Sequence, residues 1–221
     1  MTVARYRTDY QGEFVVLETR WSGGKKRQSR EWIPNPIENH HLSGRAACIG
    51  SSIDRELFNY QVLQRHRGGL LGSKKLQTYG VASIALEMRL DFAISNNFDQ
   101  IKPLMENQYY KDNIIYTTPR ICILNPGSFY LIPYAPVFCA EALPLYLAAF
   151  DGHSEVFALG YHNETPSGNS GWIAQIKEIV SAYSTTRFNF VGEKTIMPDT
   201  WFDCENVNSM TYRDFISYCD V

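Results

Sequence analysis

The chain has 221 residues, 44% hydrophobic and 20% charged, which is enough to bury one large core without disulfide or metal staples. Its 21 Lys and Arg against 23 Asp and Glu leave a formal net charge of −2, which argues against a protein built mainly to coat nucleic acid. Five cysteines, an odd number with no Cys-x-x-Cys pair, argue against a disulfide framework and a zinc spacing and predict free thiols in a reducing cytoplasm. No apolar run reaches the ~20 residues of a membrane span. Met1-Thr2-Val3-Ala4-Arg5 lacks the apolar stretch of a signal peptide, so the glycosylation-like Asn163-Glu164-Thr165 is expected to be accidental.

In chain order, residues 13–21 (EFVVLETRW) and 27–33 are rich in β-branched and aromatic residues, with Gly23-Gly24 between them, and predict a β-hairpin. Pro34-Asn35-Pro36 ends the second strand, and residues 34–44 read as a polar connection. Ala46-Ala47-Cys48-Ile49-Gly50 is a short continuous apolar run, as in a strand buried on both faces. Ser51-Ser52 then caps a helix predicted over residues 53–66, which Gly68-Gly69 stops. Short strands are expected over 76–79, 91–95, 113–118, 121–124 and 129–132. Helices are expected over 81–88 and, despite Pro103, over 98–106.

The clearest unit lies further on. Residues 141–150 (EALPLYLAAF) predict a helix, Asp151-Gly152-His153 its break, and 155–161 (EVFALGY) a buried strand. After a polar loop over 162–170, Trp172, Ile173, Ile176, Ile179 and Val180 make the apolar stripe of a helix. RFNFV at 187–191 is the next strand, and residues 211–219 predict a last helix in an otherwise irregular tail. Helix–strand–loop–helix–strand is the pattern of parallel βαβ packing. The class is therefore α/β, with a mostly parallel Rossmann-like sheet over residues 45–221 and a β-hairpin extension over 1–44.

In such a sheet, ligands meet the loops at the carboxyl ends of the strands. Gly50, Ser51 and Ser52 open a helix there, where backbone N–H groups can bind a phosphate, or form an ordinary cap. The Gly-Lys-Ser/Thr of a P-loop is missing. Ser95, Asn96 and Asn97 follow a buried strand and can read a base or ribose, or serve as a turn and helix cap. Asn125 follows the stretch 121–124 in the same way. His162, with Glu164, sits just past EVFALGY, where an imidazole can take a proton near neutral pH or belong to a solvated loop. Asp151 and His153 belong to the opposite end of that strand. No Asp-x-Asp is present, and adjacent His40 and His41 on an extended segment point apart, so no metal is expected. Basic clusters fall at Lys25-Lys26-Arg27 with Arg30, and at Arg65 and Arg67 with Lys74, flanking a Gly-rich loop that could close over phosphates or remain a solvated surface.

The pairing of AACIGSS with EALPLYLAAFDGHSEVFALGY resembles the single-Rossmann family of bacterial sialyltransferases and archaeal 6-hydroxymethylpterin diphosphokinase-like proteins (motility accessory glycosyltransferases). It covers residues 45–192. Two features depart from that pattern: His162 stands where the family has an acidic residue after Leu-Gly-aromatic, and Gly50-Ser51-Ser52 is shorter than Gly-Asn-Gly-Pro-Ser. The resemblance implies a metal-independent glycosyltransferase. A nucleotide-sugar would serve as co-substrate on Gly50, Ser51, Ser52, Ser95, Asn96, Asn97 and Asn125. His162 or Glu164 would act as base, and Arg65, Arg67 or Lys74 would face the diphosphate. RYRTDYQGEFVV and REWIPNPIENHHLSGRAACIG look like proteins of large tailed phages, which would place the chain in host cytoplasm with a modified DNA base as acceptor. A non-catalytic phage structural or host-interaction protein with the same core, and a phosphotransferase of this fold, stay open.

Overall fold

The computed structural model describes residues 2–7, 13–34, 44–52, 58–64, 76–133, 137–162 and 171–220. The chain opens with three antiparallel strands, β1 (Thr2–Arg7), β2 (Glu13–Ser22) and β3 (Lys25–Pro34), in that spatial order. Ser22 pairs with Lys25, so Gly23-Gly24 is a two-residue turn, and both glycines take the positive φ it requires (59° and 72°). The predicted hairpin is thus present, with β1 added to its edge.

The remaining eight strands form one parallel sheet: β4 (Arg45–Ile49), β5 (Gln77–Val81), β6 (Phe92–Ile94), β7 (Ile114–Thr117), β8 (Tyr130–Leu131), β9 (Glu155–Leu159), β10 (Arg187–Val191) and β11 (Val207–Met210). Their spatial order is β11-β10-β9-β4-β5-β6-β7-β8, every pair parallel. From β4 the chain steps outward to β8, returns to the other side of β4 as β9, and steps outward again. This is a doubly wound, Rossmann-like topology. α1 (Gln61–Gln64), α2 (Phe98–Glu106) and α3 (Pro119–Leu124) lie on one face with the last helix, α6 (Tyr212–Asp220). α4 (Leu143–Phe150) and α5 (Gly171–Ala182) cover the other. Helices change face where the direction of winding reverses, as right-handed crossovers require. No helix among the described residues is long and apolar enough to cross a membrane.

Burial explains the apolar run that marks β4. Ala46, Ala47, Cys48 and Ile49 are fully buried and alternate between the two cores, with small residues under α4 and Ile49 on the opposite face. Cys48, Cys122 and Cys219 are buried thiols that pack as small apolar side chains.

Four expectations need correction. Residues 81–88 are not a helix: only 82–91 separate β5 from β6, too few for a full helical crossover, and a 3₁₀ turn at Ile84–Leu86 buries the apolar side chains instead. Residues 121–124 are helical rather than extended, because Pro119 after Thr118 opens α3 and fixes its first φ. The helix expected over 53–66 is interrupted. Phe58–Tyr60 is bent, and Asn59 Oδ1 accepts from Gln61 N at 3.0 Å to start α1, while 53–57 and 65–70 lie outside the described residues. The irregular tail contains β11.

At the amino edge of the sheet, the Tyr79 hydroxyl donates to Asp151 Oδ2 at 2.8 Å and lies 2.9 Å from His153 Nε2, all three residues being buried. This matches the expected position of Asp151 and His153 away from the carboxyl ends. Tyr79→Phe removes the hydroxyl between two buried polar side chains and should cost about 1–3 kcal/mol of stability by urea denaturation. An unchanged midpoint would show that the contacts contribute nothing.

Candidate functional site

The reversal of winding puts the topological switch point between β4 and β9, where crossovers leave in opposite directions and where open α/β sheets generally bind their ligands, at the carboxyl ends of the strands. Three groups of side chains converge there. Gly50, Ser51 and Ser52 follow β4; Tyr161 and His162 follow β9; Glu141 comes from the turn before α4. A helix that precedes a central strand begins at the carboxyl edge, so Glu141 is delivered to the ligand side by topology alone.

The two loops continue together past the strand ends. Gly50 N donates to Leu159 O at 2.8 Å, Ser52 N to Gly160 O at 3.1 Å, and His162 N to Ser52 Oγ at 3.1 Å. A Cβ on Gly50 would collide with the Gly160 carbonyl and press on the Tyr161 ring. The expectation that the amides beyond Ile49 face an open crevice is therefore corrected for residues 50 and 52: both are engaged by β9's loop. Neither Ser51 nor Ser52 caps α1. Ser52 is buried with its hydroxyl facing His162, whereas the Ser51 hydroxyl donates to Glu141 Oε1 at 3.4 Å.

His162 is 7% exposed, and its ring fills the space that a side chain on Gly192 would occupy, with the Gly192 Cβ position 2.8 Å from Nε2. It is packed under the end of β10 rather than displayed on a solvated loop. The Tyr161 phenol is buried and makes no hydrogen bond with a described residue. Burial pushes its pKa well above the usual value, and neighbouring Cys48, Glu141 and Cys139 push the same way.

Two strands away, Ser95 is buried. Its hydroxyl accepts from Asn97 N at 3.0 Å and donates to Gln100 Oε1 at 2.7 Å. Asn97 caps α2 by accepting from Asp99 N at 2.9 Å, the structural alternative to ligand reading. Asn96 donates to Phe138 O at 2.8 Å, and Gln175 Oε1 accepts from Cys139 N at 2.7 Å. Residues 137–141 therefore run as a strap across the carboxyl edge, tied to β6, α5 and, through Glu141, the switch point. Asn125 ends α3 and donates to Ile121 O at 3.1 Å. It is thus not at a strand's carboxyl end, because 121–124 is helix. Glu164, Arg65, Arg67, Lys74, His40 and His41 lie outside the described residues, and of the hairpin cluster Lys25 is exposed at its turn. Among the described residues, no three His, Cys, Asp or Glu side chains gather as a metal site.

A cavity of about 800 Å³ opens at the amino edge among Ser154, Glu155, Ser181, Arg187 and Asn206. Its main carboxylate is already satisfied, since Glu155 accepts from Asn189 Nδ2 at 3.0 Å and the Tyr218 hydroxyl at 2.9 Å and pairs with Arg45 and Arg187 at 3.5 and 3.7 Å. That network holds the strand starts together.

Sequence reading places Glu141 only as the first residue of a helix. The usable signal is that this helix leads into the strand ending at the site. The helix opening at Thr118-Pro119 goes unrecognised for a different reason: the expected strands 113–118 and 121–124 leave Pro119 and Arg120 as the link between them.

Gly50→Ala should destabilise the protein by about 1–3 kcal/mol in denaturant titration, because the added carbon must separate the two loops; a loss below 0.5 kcal/mol would mean they part freely. Burial raises the Cys139 thiol to about 11 and the Cys122 thiol to about 12. At pH 8, reaction with iodoacetamide should be slower than that of free cysteine by on the order of a hundredfold at Cys139 and a thousandfold at Cys122. Peptide mass spectrometry over time checks this, and labelling at the free rate would contradict it.

No family model, no curated protein and no solved structure matches the chain. Its architecture is an α/β core of Rossmann-like topology, compatible with nucleotide- and cofactor-binding enzymes in general.

Proposed function

We propose that the chain is a transferase that binds a nucleotide-sugar across the carboxyl edge of its sheet and moves the sugar to an acceptor hydroxyl. The observation that carries this reading is the switch point itself, with the Ser51 hydroxyl and the Glu141 carboxylate brought to within 3.4 Å of each other beside β9's loop. A carboxylate there accepts hydrogen bonds from sugar hydroxyls, or takes the proton of an attacking one. The acceptor oxygen bonds to the anomeric carbon, the bond from that carbon to the diphosphate breaks, and the nucleoside diphosphate leaves. The choice of sugar transfer is supported by the likeness of residues 45–192 to sialyltransferase-like proteins, and a modified DNA base as acceptor by the phage-like segments. Glu141 joins His162 and Glu164 as a candidate base; it is half-buried, whereas His162 is packed against Gly192.

A non-catalytic interaction protein is the second reading. It is favoured by one observation: the Gly50 and Ser52 amides are engaged within the sheet rather than left for a phosphate.

Thermal denaturation with a panel of nucleotide-sugars separates the two. A ligand at 100 times its Kd adds about 2.7 kcal/mol, which for a chain of this size raises Tm by roughly 5–10 °C. No shift with any nucleotide-sugar or nucleoside diphosphate would leave the second reading. With an active donor and a hydroxymethylated DNA acceptor, Glu141→Gln should lower release of nucleoside diphosphate by ~10²–10⁴-fold if it is the base. A near-native rate would remove it from that role.

A further inference from the structure

Beyond the switch point, the carboxyl edge carries a cavity of about 410 Å³ between the ends of β6 and β7. Its apolar walls are Phe98, Ile121 and Leu124, and Asn96, Thr118 and Arg120 supply the polar groups. Phe98 is 42% and Leu124 67% exposed, which is unusual for large apolar side chains in a chain that buries most of its others. Arg120 is exposed and makes no ion pair with a described residue, and the Thr118 hydroxyl makes no capping bond. An aromatic ring and aliphatic groups around a slot of ligand size, with a few polar groups and one cation, are the ordinary components of a small-molecule site.

We infer that this cavity is a nucleobase subsite, with the base packed on Phe98 and the following phosphates facing Arg120. The inference rests on the nucleotide reading above and deepens it. A base is the ligand that uses every part of the cavity. Its flat faces match Phe98, Ile121 and Leu124, and its edge meets the Thr118 hydroxyl and the Asn96 amide oxygen, whose Nδ2 already holds Phe138 O. The attached diphosphate meets the guanidinium, a fitting partner for phosphate oxygens. Three strand spacings, roughly 14 Å, separate the middle of this cavity from the switch point. A nucleotide anchored here by its base would therefore carry its far end toward Ser51 and Glu141. The charges agree with that direction: the cation lies by the base and the carboxylate at the other end, where a phosphate would be repelled and a hydroxyl welcomed.

The test is calorimetric titration of the native chain with ADP, GDP, CDP and UDP, each also as the free nucleoside. One diphosphate should bind best. Phe98→Ala should weaken it about tenfold or more, as expected when a stacking ring is removed from a base, while Phe98→Tyr, which keeps the ring, should restore binding. Arg120→Ala should weaken the diphosphate but leave the matching nucleoside unchanged. Both side chains are exposed, so neither substitution threatens the fold, and a thermal melt of each variant checks this. If a diphosphate binds and neither Phe98→Ala nor Arg120→Ala changes its Kd, the base lies elsewhere: this inference falls and the nucleotide reading stands. If no diphosphate or nucleoside binds at all, both fall together.

Discussion

Gly50 and Gly160 meet where β4 and β9 end, and the lack of a side chain at Gly50 lets the two loops stay bonded past the sheet. That contact sits at the centre of the fold. β4 is fully buried from Ala46 to Ile49, flanked by β9 on one side and β5 on the other, with α4 across one face. The winding reverses across this one pair of strands, so the position of the candidate site follows from the same pairing that holds the core together. A substitution at Gly50 would disturb stability and site at once.

The bonding of these loops also decides what the site can recognise. In a phosphate cradle the backbone donors after the first strand are left unpaired for the ligand. Here two of them are used, and on the proposed reading side chains take their place: a hydroxyl from Ser51 and a carboxylate from Glu141. Such a pair suits a polyhydroxyl group better than an anion. A cation stands further along this edge, at Arg120 between β6 and β7. The strap over residues 137–141 lies between these regions, tied through Asn96 and Gln175. On the proposed reading, one extended ligand spans the edge with its sugar at the reversal of winding and its base at the outer cavity.

Much of this core was legible in the sequence, for physical reasons that differ by element. Strands buried on both faces are continuous apolar runs, so AACIG, EVFAL and RFNFV were found, and α2 and α5 followed from capping and a 3.6-residue stripe. What failed was short and set by tertiary constraint. Residues 82–91 had too little length for the helix their spacing suggested. Residues 121–124 carry β-branched side chains, but Pro119 made them a helix. The candidate site was half legible. Position at the strand ends follows from the pattern, so Gly50, Ser51, Ser52, Ser95, Asn96, Asn97 and His162 were located. Which atoms are free does not follow, because the bonds that engage these backbone amides join residues 108 to 110 positions apart. Glu141 was missed since its placement depends on which strand follows its helix.

On the proposed function the ligand lies on the carboxyl edge, across the β4–β9 reversal. Crystals of the chain soaked with a nucleotide-sugar that raises its Tm test it most directly. Density is expected along the ends of β4, β5, β6 and β7, with sugar hydroxyls against Ser51 and Glu141. Density instead in the amino-edge cavity beside Ser154 and Arg187 would contradict it.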